Sequence, residues 1–267
     1  MRYKKINNVT VNRLRKRQND WSSGNWSGYA RSANSGRYIS VSGRWRVPAV
    51  CPSPTNTYSS TWIGIDGFNN RNLIQTGTES DYVNGAARYH AWWEILPNSE
   101  RIITSLPVNP GDLMQACIRK LPSGRWRIKI ANVTQGKNFA TVKAYNGPQS
   151  SVEFIQEAPT VNGSIATLAN YGKVIFNHCL INGRNPRFKT SEAGVMVQNG
   201  TQVSTPSIPD SDKDGFAVVY GSIPPNPPAS LVKKRVKTPK QRRGNLKGGR
   251  NVIANGRRNS IRKIRKR

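Results

Sequence analysis

The sequence predicts an all-β domain of about 200 residues, built as an antiparallel sandwich or barrel. Three observations predict it. Apolar and polar residues alternate with period two in several short runs, as a half-buried strand requires. Gly, Asn and Pro clusters punctuate those runs at short intervals, and no segment sustains the 3.6-residue period of an amphipathic helix.

Along the chain, Tyr38–Val47 places Ile39, Val41, Gly43, Trp45 and Val47 on one face, with Ser40, Ser42, Arg44 and Arg46 on the other. Between Arg125 and Ile130 the residues Trp126, Ile128 and Ile130 alternate with Arg125, Arg127 and Lys129. Ala140–Tyr145 and Phe216–Tyr220 are further β-rich runs. The turns expected between such strands are Pro122–Gly124, Asn146–Pro148, Asn182-Gly183 and Asn199-Gly200.

Charge divides the chain. Of 42 Lys and Arg, seven lie in residues 1–19 and sixteen in residues 231–267, stretches without a single acid. Residues 20–230 hold the remaining 19 cations and all 13 acids, so the formal net charge of +29 sits mostly in two arms. The expected organisation is a basic N-terminal arm (1–20), a β-domain (21–222), a Pro-rich linker (223–230) and a disordered polybasic tail (231–267). A tail of this kind suits nonspecific binding to nucleic acid or another polyanion through counterion release, and it lacks the aromatics and motifs of base readout. No apolar run approaches the ~20 residues of a membrane span. Residues 1–20 have a positive start but no apolar stretch of a secretory signal, which favours an intracellular or particle-packaged protein. Cys51, Cys117 and Cys179 are too few for a dense disulfide framework.

The common catalytic constellations are missing. His90 and His178 are the only histidines, Gly24-Asn-Trp-Ser-Gly28 has its serine one place late for a nucleophile elbow, and neither His-Glu-x-x-His nor Cys-x-x-Cys occurs. His178 and Cys179, as neighbours on a strand, would point to opposite faces, so a buried structural Cys179 is expected. Asp210-x-Asp212-x-Asp214-Gly215 matches the first half of a calcium loop, but the twelfth position is Gly221 instead of Glu, so an acidic surface turn is expected. What remains is a concentration of tryptophans and polar residues between Thr61 and Pro97, a composition suited to a peptide or sugar cleft.

That stretch resembles the glutamic peptidases, the eqolisin family. The matching motifs are Asn25-Trp-Ser-Gly28, Trp62-Ile-Gly-Ile-Asp-Gly67, Leu73-Ile-Gln-Thr-Gly77, Ala91-Trp-Trp-Glu94 with Pro97, and Val152-Glu-Phe-Ile-Gln-Glu157. Leu168-Ala-Asn-Tyr-Gly172, Val174-Ile-Phe176 and Asp214-Gly-Phe-Ala-Val-Val-Tyr220 are similar to the family's later strands. The resemblance spans about residues 21–221 in the family's order. It implies a concanavalin-like sandwich of two large antiparallel sheets and an endopeptidase acting on polypeptides without metal or cofactor.

The family's catalytic Gln and Glu fall on Gln75 and Glu153. Glu153 would take a proton from the attacking water and return one to the leaving amine, while the Gln75 amide stabilises the oxyanion. Trp62, Asp66, Glu79, Trp92 and Glu94 are expected to line the substrate cleft or orient the dyad, Glu79 standing where the family commonly has Asp. The resemblance implies activity at acidic to mildly acidic pH. Two effects oppose each other there: a basic body lowers the Glu153 pKa and burial raises it. The rival reading is a catalytically inactive β-sandwich that binds a polyanion or glycan, its basic tails providing the function.

Overall fold

The computed structural model describes residues 9–11 and 21–230. The strands open with β1 (Val9–Val11), β2 (Trp21–Ser23), β3 (Trp26–Ser32), β4 (Ser40–Arg46), β5 (Ser60–Ile65) and β6 (Ile74–Val83). They continue through β7 (Ala86–Ile95), β8 (Arg101–Ile102), β9 (Leu113–Lys120), β10 (Trp126–Asn132), β11 (Lys137–Lys143) and β12 (Ser151–Glu157). The last are β13 (Thr160–Val161), β14 (Ser164–Ile165), β15 (Lys173–Ile181), β16 (Ala193–Gln198), β17 (Thr201–Pro206) and β18 (Phe216–Tyr220).

One hydrogen-bonded path runs β11-β10-β9-β4-β15-β18-β17-β16-β3-β12-β5-β6-β7-β8. The path folds into two layers. In one, β4, β9 and β10 pack across the interior against β5 and β6 of the other. The all-β expectation and the two large antiparallel sheets are both present; among the described strands the one parallel pair is β2 with β16, and an isolated parallel bridge joins Tyr58 to Leu168. The interior is filled by Trp45, Trp126, Ile128 and Phe176 from the first layer and Ile63, Ile65, Ile74 and Phe154 from the second. These side chains follow the alternation that marked the strands, because on a pleated strand every second residue reaches the same face. Trp45 also donates its Nε1–H to Thr78 Oγ1 at 2.9 Å, so a buried indole dipole is satisfied across the sandwich.

Details depart from the sequence pattern for local reasons. Ile39 is exposed, since β4 begins at Ser40 and the Asn182 side chain accepts from both the Ile39 and Ser40 backbone N–H groups. Asn199 and Gly200 take φ of 50° and 76° in the β16–β17 hairpin, the left-handed pair that a two-residue turn needs. Asn146–Pro148 is no hairpin turn; it belongs to an extended approach to β12. His178 and Cys179 sit in a β-bulge between Asn177 and Leu180, with His178 at φ 50°. His178 is exposed and Cys179 fully buried, so they are separated by the bulge, not by regular alternation. All three cysteines are free thiols. The Asp210 turn is at the surface, with Ser211 and Lys213 exposed, but Asp210 itself is only 3% exposed.

Residues 223–230 carry neither strand nor helix. The tail at 231–267 and most of the N-terminal arm lie outside the described residues. Among the described residues no helix is long and apolar enough to cross a membrane.

Candidate active site

The second layer has another apolar cluster, on the face turned away from the interior: Trp21, Trp26, Ala30, Trp62, Leu73, Trp92 and Ile155, with Phe68 and Leu96 packed against it. Pairing registers arrange this face in rows. Glu153 on β12 lies opposite Gly64 on β5, Gly64 opposite Gln75 on β6, and Gln75 opposite Glu94 on β7. A second row runs Ile155, Trp62, Gly77, Trp92, and a third Glu157, Ser60, Glu79, His90. Residues 78 positions apart in the sequence, Gln75 and Glu153, thus share one row because β12 and β6 flank the same central strand.

Gly64 sets the spacing within that row. Its neighbours stand about 10 Å apart at the backbone, two strand separations, and Gly64 itself puts no side chain between them. A Cβ on Gly64 would lie 2.8 Å from Trp62 Cζ3 and 3.0 Å from Leu73 Cδ1, so these two side chains close over the glycine. Gly77 has the same logic one row away: a Cβ there would meet Trp62 Cβ at 2.5 Å and the Thr61 carbonyl at 2.4 Å. The Gln-Thr-Gly motif therefore seats the Trp62 ring as well as supplying the amide. Trp62 is anchored at its other end, where Nε1–H donates to Glu157 Oε2 at 2.7 Å and the ring meets Trp26 edge-on at 5.0 Å.

Gln75 donates through Nε2 to Glu94 Oε2 at 2.5 Å. A carboxylate that accepts selects the NH₂ end of the amide and so orients the group. Gln75 Oε1 and both oxygens of Glu153 are shielded from solvent and have no hydrogen-bond partner. Three orphaned polar atoms in one row are rare in a folded protein and mark a place built for a ligand or water. Burial pushes the Glu153 carboxyl well above the ordinary 4.5, and the negative charge of Asp66 adds to it. The Ser151 side chain and the Phe68 backbone N–H lie near enough to oppose this without forming a full hydrogen bond. Of the two opposing effects on Glu153, burial wins.

Of the two roles expected of Asp66, its bonds fit the orienting one. Fully buried at φ 69°, it accepts through Oδ2 from Tyr145 OH (2.6 Å) and the Gln149 N–H (2.8 Å). Through Oδ1 it accepts from the Ser150 N–H (2.8 Å) and Asn70 Nδ2 (3.2 Å). These bonds fix the segment that leads directly into β12, so Asp66 positions the strand carrying Glu153. Glu79 is two rows from the dyad, buried beside Asp81, and its carboxyl is raised well above 4.5 by burial first and Asp81 second. Trp92 is buried in the middle row with its Nε1 unpartnered. Thus Glu153, Gln75 and Glu94 come together in one row, Trp62 and Trp92 lie in the adjacent row, Glu79 lies in the third, and Asp66 lies just past the end of β5. Sequence reasoning missed Gly64 as the spacer and Glu157 as the anchor of Trp62. Glu157 had a signal in the four-residue step from Glu153, which puts both on one face of a strand.

The model of the Peptidase A4 family matches residues 24–217. The chain belongs to that family. It is a peptide-bond hydrolase of the glutamic class, as the motif resemblance implied. Among relatives of this Peptidase A4 chain, Aspergillopepsin-2 of Aspergillus niger is 22% identical over 228 residues, 76% of this chain and 79% of its own. Among solved structures, scytalido-glutamic peptidase with a transition state analog inhibitor superposes with a TM-score of 0.64 at 19% identity, covering 74% of this chain and 98% of that one. SCP-B, an eqolisin peptidase in complex with the tripeptide Ala-Ile-His, superposes with a TM-score of 0.59 at 20% identity, over 74% of this chain and 98% of that chain. The eqolisin sandwich is therefore the fold of this Peptidase A4 member.

Proposed function

We propose that the chain is an endopeptidase in which Glu153 and Gln75 carry out hydrolysis of a polypeptide held across the outer face of β12, β5 and β6. The observation that carries this reading is the row Glu153–Gly64–Gln75–Glu94, with both Glu153 oxygens and Gln75 Oε1 unpartnered. Ionised Glu153 takes a proton from water as the water attacks the scissile carbonyl. The remaining N–H of Gln75 donates to the developing oxyanion while its Oε1 accepts from the water, and Glu94 holds the amide in that orientation. Neutral Glu153 then gives its proton to the departing amine. An amide cannot ionise, so Glu153 is the single titrating member of the pair.

The raised Glu153 carboxyl moves the acidic limb of the rate profile upward from 4.5, toward mildly acidic pH. An acidic limb at or below 4.5 would overturn this. The deciding experiment is hydrolysis of a quenched-fluorescent protein substrate across pH 2–8. Glu153→Gln should lose about 10²–10⁴-fold in kcat and Gln75→Ala about 10²–10³-fold, each with a wild-type melting profile at low pH. Full activity in either variant would remove that residue from the mechanism.

A second reading, polyanion binding, has one supporting observation among the described residues. The outward face of the first layer presents Arg44, Arg46, Arg119, Arg125, Arg127, Lys129 and Lys173, and none of the residues sharing that face on β4, β9, β10, β11 and β15 is acidic. Such a field attracts phosphates with a strong salt dependence. Together with the sixteen cations of residues 231–267, it would hold the peptidase on nucleic acid.

A further inference from the structure

The turn between β17 and β18 brings three carboxylates together. One oxygen each from Asp210, Asp212 and Asp214 lies within 4.8 Å of the other two. That is the span of two Ca–O bonds of ~2.4 Å across a common ion. Asp210 is 3% exposed, and its two oxygens have different fates. Oδ1 accepts from the Asp214 N–H (3.1 Å) and the Gly215 N–H (3.2 Å). Oδ2 is shielded from solvent and has no hydrogen-bond partner. Asp212 Oδ1 and Asp214 Oδ1 are likewise shielded and unpartnered. Among the described residues no Lys or Arg forms an ion pair with any of the three.

Three carboxylates brought together, each with one oxygen shut away from water and without a hydrogen-bond partner, are costly unless a cation lies between them, although His178 lies beside Asp214 and eases its charge. Gly215 leaves the space: a Cβ there would stand 2.8 Å from Asp210 Oδ2. The donors are all oxygen, which suits a hard cation and not zinc or copper. The Asp-x-Asp-x-Asp-Gly spacing supplies positions one, three, five and six of a calcium loop.

We propose that Asp210, Asp212 and Asp214 form a structural binding site for a divalent cation of the calcium class. With Gly221 at the twelfth position no bidentate carboxylate completes the shell, so the affinity belongs to the weak range of about 10⁻⁴–10⁻³ M. Its role follows from what the turn holds. The Asp212 carbonyl accepts from Asn185 Nδ2 (2.8 Å), the Lys213 carbonyl from the Phe188 N–H (3.0 Å) and the Asp214 carbonyl from the Cys179 N–H (3.0 Å). A cation staples this turn to the bulge of β15 and the segment after it, at the start of β18. It takes no part in hydrolysis.

The test is thermal melting of the full chain, stripped with chelator and then titrated with CaCl₂, beside MgCl₂ and NaCl of matched ionic strength. Calcium at tenfold over its Kd should raise Tm by about 3–6 °C, and magnesium by less, because its shorter bonds demand a tighter octahedral cage. Calorimetric titration with calcium alone should give one site per chain. Asp212→Asn, a partly exposed position, should keep the fold and lose the calcium response. An equal rise with NaCl, a rise that survives in Asp212→Asn, or no rise at 10 mM calcium would each overturn the proposal. If Asp212→Asn is more stable than the wild type while the wild type ignores calcium, the three groups share protons and hold no metal.

Discussion

At the scale of single residues, burial decides the chemistry of the acids on the cleft face. Glu153 binds its proton more tightly in the folded chain than in the unfolded one, so between 4.5 and its raised value the native state carries the extra proton. The stability it contributes is whole below 4.5 and is lost as pH rises through that window. Asp81, pushed up to about 6 from 3.8 chiefly by burial, acts in the same direction over its own range. The wild type should therefore melt at a lower temperature at pH 7 than at pH 4, and Glu153→Gln should flatten part of that fall. An unchanged pH dependence of Tm in the variant would show that Glu153 is not the buried proton. Asp66→Asn tests a different residue-scale claim. An amide turned toward the donors from Tyr145, Gln149, Ser150 and Asn70 leaves at least one of them unmatched, at a cost of about 3 kcal/mol. The same change removes a negative neighbour of Glu153, so the acidic limb of activity should also move downward.

Among the strands, β5 is the organising element, since Glu153 and Gln75 sit on its two neighbours and its own Gly64 lies between them. Gly64→Ala would drive a methyl into Trp62 Cζ3, which can give way only by leaving its seat on Glu157 and Trp26. Overpacking of this kind costs about 1–3 kcal/mol, and the shifted tryptophan should lower kcat about 10–100-fold. Retained activity would show that the open row is incidental. The bulge in β15 separates Cys179, in the interior, from His178, in solvent. A thiol reagent should accordingly modify exposed Cys51 quickly and leave Cys179 untouched until the chain unfolds.

For the whole molecule, the two outward faces of the sandwich differ in kind. That of the second layer gathers the buried acids Glu153, Glu94, Glu157 and Glu79, whereas that of the first layer carries the cationic strip on β4, β9, β10 and β15. On the polyanion reading, removal of residues 231–267 should weaken oligonucleotide binding and reduce the slope of log K against log salt, leaving a smaller slope from the strip. Binding that is indifferent to both the truncation and the salt would end that reading.

The alternating runs in β4 and β10 were legible from sequence because period two is a local property of the pleat, and so was the Asn199-Gly200 hairpin. The motif order likewise pointed to Gln75 and Glu153. What sequence could not supply was which strands are neighbours. The meeting of β12 with β5 and of β5 with β6 brings Glu153, Gly64, Gln75 and Glu94 into one row, and sheet order is a nonlocal outcome of closing the core. The anchoring bonds of Asp66, the burial that raises Glu153, and the burial of Asp210 have the same origin. Each depends on how much water the finished fold removes from a side chain, a quantity that exists only once distant segments have packed against it.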